Sequence, residues 1–290
     1  MEQKENQLIL DSTQAKTYSQ CPKKYDLNYI QNLRKIDYSN DLDLRWGSAI
    51  HAGLEQFTEK TPHIQPMIDA FKKDFIEKEE DSTNKNHNKK NVNTGVHTLG
   101  EFIPFYRNNF ADWETLQVEE TGHTMIGDTK YLCKIDRVMK HNGNIYVVDF
   151  KTTGSSPSQN YFRRFKLDFQ ASGYVKWCKE KYGQCSGFIP IVMFVGYRSR
   201  KYLDNPPGFH VKFDYDIVTR TQEQLDWFEK DLRKISKEIT ENKRDGFFRK
   251  SPTACEFFSC QYQELCENGY DEFLQDSLYE IYNSTLYLNL

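Results

Sequence analysis

No apolar run in this chain approaches the ~20 residues that a membrane-spanning helix requires. The longest, from Phe188 to Val195, is short and is broken by Pro190. The opening residues, Met1 to Asn6, hold no apolar stretch, so no secretory signal is expected. Excess positive charge is also absent. The 39 Lys and Arg stand against 42 Asp and Glu, for a net charge of −3. This balance excludes a protein that coats nucleic acid by bulk charge, but leaves room for a local basic groove. There is no Gly-x4-Gly-Lys-Ser/Thr, so no nucleotide-driven motor is expected. Membrane, secreted and collagen-like classes are set aside, and cytoplasm of a bacterium or phage-infected host is the expected location.

What the chain does have is aromatic surface, at 14% of residues, with 38% apolar residues in all. That is enough to build a core and argues against global disorder. The 290 residues allow about two domains at ~150 residues each. The seven cysteines are an odd number. In a reducing compartment, clustered cysteines point to metal rather than disulfides.

Periodicity predicts a helix capped by Ser12 or Thr13 and running to about Ile30, and a second from Leu44 through His51 and Phe57. Pro62 interrupts, a further helix covers 66–80, and the polar stretch 81–95 reads as a mobile insertion or loop. A helix near 98–112 follows. Strands are expected over 115–126, 130–140 and 144–151, with Asn142-Gly143 as a hairpin turn. Then come a helix over 163–182, strands at 186–197 and 209–218, a helix over 221–242, and a cysteine-rich loop with a short C-terminal helix. This order implies an α/β or α+β fold with a small mixed central sheet flanked by helices.

Asp149 and Lys151 alternate with apolar residues in Tyr146-Val-Val-Asp149-Phe-Lys151-Thr152, so they share one strand face. The turn at 142–143 folds Asp136 back toward them. Alone, Asp-x-Lys reads as an exposed ion pair of little worth. Here the charges end a buried-strand pattern, where they are costly unless paired or ligated. Two near carboxylates call for a cation, and oxygen ligands suit Mg²⁺ or Mn²⁺. His51 and Glu55 lie one helical turn apart, as do Gln170 and Tyr174; each pair alone reads as ordinary helix surface and core. Cys255, Cys260 and Cys266 lie within twelve residues. A fourth sulfur would complete a metal site, and Cys21 before Pro22 is the best candidate. Cys133, Cys178 and Cys185 fit core positions.

Taken in order, Tyr18-Ser-Gln-Cys21-Pro22-Lys-Lys-Tyr25, Gly47-x3-His51, Ile135-Asp136-Arg137, Val148-Asp149-Phe150-Lys151-Thr152, Gln170-x3-Tyr174 and the three late cysteines resemble the PD-(D/E)xK nuclease superfamily. The likeness is to its RecB-like branch with a four-cysteine iron–sulfur cluster, which includes the AddB nuclease domain and CRISPR-associated RecB-like exonucleases. The x4 spacing between Cys255 and Cys260 departs from the x2 common in that branch. The resemblance implies a restriction-endonuclease-like core and a single nuclease domain over 1–290. Within it, 12–112 is a helical N-terminal part, 113–218 the catalytic sheet core, and 219–290 the C-terminal helix and cysteine cluster. It implies that His51, Asp136, Asp149 and the Phe150 carbonyl hold Mg²⁺ or Mn²⁺ and that Lys151 handles the attacking water. Gln170 and Tyr174 would be a site-edge pair touching DNA, and Glu55 a further residue near the metal. Cys21, Cys255, Cys260 and Cys266 would hold a [4Fe–4S] cluster, with Zn²⁺ as the alternative. The implied activity is a DNA exonuclease favouring single-stranded ends, in phage or bacterial recombination, repair or replication, with a helicase or recombination protein as partner. CRISPR adaptation, or a nuclease-inactive iron–sulfur or zinc DNA-binding protein, are the alternatives. Arg163, Arg164 and Lys166, among aromatic residues, and Arg198 and Arg200 are the DNA-contact candidates.

Overall fold

The structure is a computed structural model and describes residues 7–36, 41–60, 63–76, 78–154, 156–198, 208–257, 260–269 and 271–282. The elements begin with β1 (Ile9–Leu10), α1 (Ser12–Gln20), α2 (Pro22–Tyr25), a π-helical turn (Asp26–Ile30) and β2 (Leu33–Lys35). Next come α3 (Leu42–Glu55), α4 (Ile64–Asp74), a 3-10 turn (Glu79–Thr83) and α5 (Val92–Phe110). The middle holds β3 (Glu114–Ile126), β4 (Thr129–His141), β5 (Asn144–Thr153), α6 (Gln159–Arg163), α7 (Phe169–Tyr182), β6 (Gly187–Arg198) and β7 (Gly208–Tyr215). The remainder is α8 (Gln222–Asp245), α9 (Pro252–Phe257), α10 (Gln263–Asn268), α11 (Glu272–Leu278) and β8 (Tyr279–Ile281). The fold is mixed α/β, with a central mixed sheet flanked by helices.

Chain contacts define two units, one from 1–39, 121–133 and 221–290, the other from 40–120 and 134–220. In the second, β4 and β5 form an antiparallel hairpin with His141 opposite Asn144 and Arg137 opposite Val148. Both turn residues have positive φ, Asn142 at 48° and Gly143 at 80°. Such a turn matches the twist of the strands it joins, which is why Asn-Gly is favoured there. β5 runs parallel to β6, so a crossover is required, and α6 and α7 supply it. β6 is antiparallel to β7. Trp46, Ile50 and Leu54 of α3, Phe71 of α4, and Phe102 and Phe110 of α5 share a core with Val148, Phe150, Ile189 and Ile191 of the sheet. A Cβ at Gly95 would lie 2.1 Å from the Phe71 ring, so only glycine fits where α5 meets that side chain.

The stretch 81–95, expected as a mobile insertion or loop, is turns and bends over 84–91 with helical residues at both ends. Residues 79–83 form the 3-10 turn, and α5 already begins at Val92, capped by the Asn91 side chain. The stretch is tied to α3 by polar groups. Arg45 lies 2.5 Å from Asp81, Lys90 3.0 Å from Asp43, and the Asn86 amide donates to both Asp43 oxygens. Polarity hid this order, because the stretch is held by ion pairs rather than by an apolar face. Two other helices are shorter than expected: the one expected over 66–80 is α4, and the one over 163–182 splits into α6 and α7. Pro62, Arg200 and Lys201 lie outside the described residues.

In the first unit the helix expected from Ser12 to Ile30 is broken at Cys21, whose backbone is extended (φ −156°, ψ 107°). Pro22 excludes the helical conformation from the residue before it. The cap of α1 is Asp11, which accepts from Gln14 N at 2.8 Å, and not Ser12 or Thr13. Asn242 of α8 donates to the Tyr18 hydroxyl of α1 at 2.8 Å. β2 pairs antiparallel with β8, over a small core of Leu27, Leu33, Tyr262, Leu265 and Tyr279. The cysteine-rich region is not a plain loop but carries α9 and α10. No described helix is long and apolar enough to cross a membrane.

The Arg45–Asp81 pair makes stability depend on pH. Burial pushes the Asp81 carboxyl up, but the Arg45 hydrogen bond and the Lys78 N–H outweigh it and hold it below its ordinary value. A depressed carboxyl stabilises the fold above the ordinary value of about 3.9, and this contribution is lost as pH falls below it. Asp81→Asn is therefore expected to cost about 1–3 kcal/mol at pH 7. The gap in denaturation midpoint between wild type and variant should close below about pH 4. A constant gap from pH 7 to pH 3 would refute the assignment.

Candidate active site

The second unit gathers its ionisable groups at one edge of β4 and β5. Arg137 opposes Val148, so Asp136 and Asp149 are the next residues along the hairpin. Both are buried, at 7% and 2% exposure. Each is held by a distinct set of groups. Asp136 Oδ2 accepts from Phe150 N at 2.7 Å and lies 3.3 Å from His51 Nδ1 of α3. Asp149 Oδ1 accepts from the Gln170 amide at 2.9 Å, and Oδ2 lies 2.7 Å from Lys151 Nζ. Beyond that ion pair, no described group donates a well-directed hydrogen bond to Oδ2.

The electrostatics follow from this placement. Burial pushes the Asp149 carboxyl up, Lys151 opposes this, the Asp136 charge adds to it, and the net value is about 6. Burial also acts to raise Asp136, but His51 and the Phe150 N–H outweigh it and hold it low. For His51 and Lys151, burial disfavours the charged form. The neighbouring carboxylates outweigh it, so both are held above their ordinary values. Two carboxylates of unlike proton affinity thus share one cluster with an imidazole and an ammonium.

Gln170 and Tyr174, expected as a site-edge pair, meet beside Asp149. Tyr174 is buried, and its hydroxyl donates to the Lys134 carbonyl and accepts from Gln170 at 3.0 Å. A buried phenol needs a partner for its O–H, and the strand carbonyl supplies it. Glu55, one turn beyond His51, meets a separate group. Its carboxyl is raised by burial and then by Glu119, whose own partner is Lys134 at 3.0 Å. Arg163, Arg164 and Lys166 are exposed on α6 and the turn after it, and Arg198 closes β6.

Sequence reasoning missed two contributors. Asp168 caps α7 through Gln170 N at 2.7 Å and adds its charge to those facing Lys151. The signal was an Asp just ahead of a helix start. Arg137, 1% exposed, donates to the carbonyls of Leu54 and Phe57 at the end of α3 and to Thr115 Oγ1. Glu59 lies 3.6 Å away and takes the Tyr106 hydroxyl at 2.6 Å. An arginine inside an apolar strand pattern was the available sign.

In the first unit Cys21, Cys255, Cys260 and Cys266 line one cavity of ≈ 300 Å³, with Lys24 and Lys250 beside them. All four are free thiols. Burial raises Cys255 and Cys266, and neighbouring cysteines raise them further. Sulfurs that repel one another's charge suit a shared cation. Among the described residues, no three His, Cys, Asp or Glu side chains already stand in a ligating arrangement, here or at the carboxylates. At the carboxylates, the Lys151 ammonium lies against the oxygen a cation would approach.

One family model, that of the PD-(D/E)XK nuclease superfamily, matches residues 12–267, and the chain belongs to that superfamily. The sheet and its flanking helices agree with the restriction-endonuclease-like fold. Two solved structures are similar at low identity. The crystal structure of SSO0001 is 11% identical, with 92% of this chain and 89% of that one covered and a TM-score of 0.38. A presumed exonuclease from Eubacterium rectale is 12% identical, with 83% and 87% covered and a TM-score of 0.43. Likeness at that level says nothing of function. No curated protein matches the chain.

Arg137→Ala would leave the half-buried Glu59 beside Tyr106 without its cation and strip a donor from two buried carbonyls. The expected loss is roughly 1–3 kcal/mol, read from chemical denaturation. A loss below about 1 kcal/mol would show that Arg137 is not the clasp it is taken for.

Proposed function

We propose that the chain is a Mg²⁺- or Mn²⁺-dependent DNA nuclease of the RecB-like branch. We read it as an exonuclease on DNA ends that favours single strands and serves phage or bacterial recombination, repair or replication. The observation that carries this reading is the meeting of the half-buried His51, Lys151 and Gln170 with the buried Asp136 and Asp149. Nucleases of this superfamily generally use divalent metals, and the oxygen-rich donor set fits one. The single family match across 12–267 supports treating both units as one nuclease domain.

In this reading Asp136, Asp149, His51 and the Phe150 carbonyl hold the metal. When bound, the ion polarises the phosphate and lowers the pKa of water. Lys151 orients the attacking water and stabilises negative charge gathering on the phosphate oxygens. Gln170 fixes the Asp149 carboxylate through Oδ1 and leaves Oδ2 toward Lys151. Tyr174 in turn fixes Gln170. Cys21, Cys255, Cys260 and Cys266 would hold a [4Fe–4S] cluster, a cross-link between the start and end of the first unit that shrinks the unfolded ensemble.

Asp149→Ala and Lys151→Ala are each expected to lower the metal-dependent digestion of end-labelled DNA by at least 10²-fold without unfolding the protein. Near-full activity in either folded variant would sink the catalytic assignment. Anaerobically purified protein should be brown with broad visible absorption, and Cys21→Ser should bleach it. A colourless preparation containing zinc would replace the cluster with a zinc site.

A further inference from the structure

A second polar cavity lies in the catalytic unit and takes no part in the site just described. It encloses ≈ 550 Å³ and is lined by Gln159, Asn160, Arg163, Lys166, Asp214 and Asp216, among others. Its position is fixed by the sheet. Lys151 of β5 is opposite Val192 of β6, and Val192 is opposite Asp214 of β7. Residues paired across strands point to the same face. Neighbouring strands lie about 4.8 Å apart, so Asp214 stands on the face of Lys151 at roughly 10 Å along the sheet. The other wall is reached along the chain, because Lys166 is two residues before Asp168, whose charge faces Lys151.

The lining has both signs of charge, kept apart. Among the described residues, Arg163 and Lys166 are exposed and enter no ion pair. Asp214 and Asp216 each accept from the next backbone N–H, at 2.9 and 2.8 Å, and enter none either. A pocket for phosphate alone would not carry two carboxylates, since they repel it. A cation pocket would not carry two free cations. A nucleotide satisfies both sets. Its phosphate takes Arg163 and Lys166, and the exocyclic amine of cytosine, adenine or guanine donates to a carboxylate, whereas thymine offers no such amine.

We infer that this cavity holds one nucleotide of the DNA strand beside the catalytic centre and prefers amino-bearing bases to thymine. The inference rests on the nuclease reading for the identity of its ligand, and its test separates the two. Fluorescein-labelled oligo-dC and oligo-dT are titrated against the full, anaerobically purified chain without Mg²⁺ or Mn²⁺, followed by anisotropy. Digestion of the same oligonucleotides with metal is measured in parallel. Wild type should bind oligo-dC about tenfold more tightly than oligo-dT. Asp214→Ala with Asp216→Ala should bring the two within about twofold. Arg163→Ala with Lys166→Ala should weaken both about tenfold and flatten the salt dependence. Circular dichroism checks that the variants are folded. Equal binding of the two oligonucleotides by wild type, or an unchanged preference in the folded aspartate variant, overturns the subsite. If wild type digests DNA without that preference, the nuclease reading stands and the subsite falls. If the preference appears without digestion, the subsite stands and the nuclease reading falls.

Discussion

Asp136 and Asp149 lie side by side out of water, and two bare carboxylates in that position would cost several kcal/mol each. The second unit answers with four different groups from three elements. His51 comes from α3, Lys151 and the Phe150 N–H from β5, and Gln170 from α7. Hairpin register is part of the same constraint. A slip of one residue in β4 against β5 would turn Asp136 to the opposite face and leave Asp149 without its neighbour. The Asn142-Gly143 turn, with both residues left-handed, admits one register and so protects the pairing.

Holding His51 against Asp136 requires that α3 be fixed with respect to β4. Arg137 does this from the position next to Asp136, with its guanidinium on the last carbonyls of α3. One strand thus carries a carboxylate for the site and, one residue on, a cation for the helix that completes it. Because neighbouring strand residues point to opposite faces, the two charges serve opposite sides of the sheet.

The hairpin, its strands and the nearness of Asp136, Asp149 and Lys151 were legible because they rest on local pattern, period-two alternation and Asn-Gly, whereas His51 joined them only through the family resemblance. Helix ends were less so. Asp11 outcompeted Ser12 and Thr13 as a cap, and Pro22 broke a helix whose apolar spacing ran on through it. The helical ends of the 81–95 stretch and its ties to Arg45 and Asp43 left no mark in the sequence, because ion pairs have no periodic signature. The spacing of Gln170 and Tyr174 put them on one helix face, but the bond from the Tyr174 hydroxyl to a carbonyl forty residues away in sequence left no mark in it. Partnerships between distant polar atoms leave no trace in spacing.

The first unit is assembled from three separated pieces of chain. Tyr262 hydrogen-bonds Asn28 and the Leu33 carbonyl, and β2 waits for β8 to pair. Such contacts span most of the polypeptide and close late, since long loops must first be ordered. During synthesis, the segment bearing Cys21 therefore leaves the ribosome long before its partners at 255–266 exist. Over that interval the emerging chain holds an uncovered strand edge, a feature through which nascent proteins recruit chaperones and aggregate. Expression temperature should thus govern the yield of folded protein through the closing of the first unit.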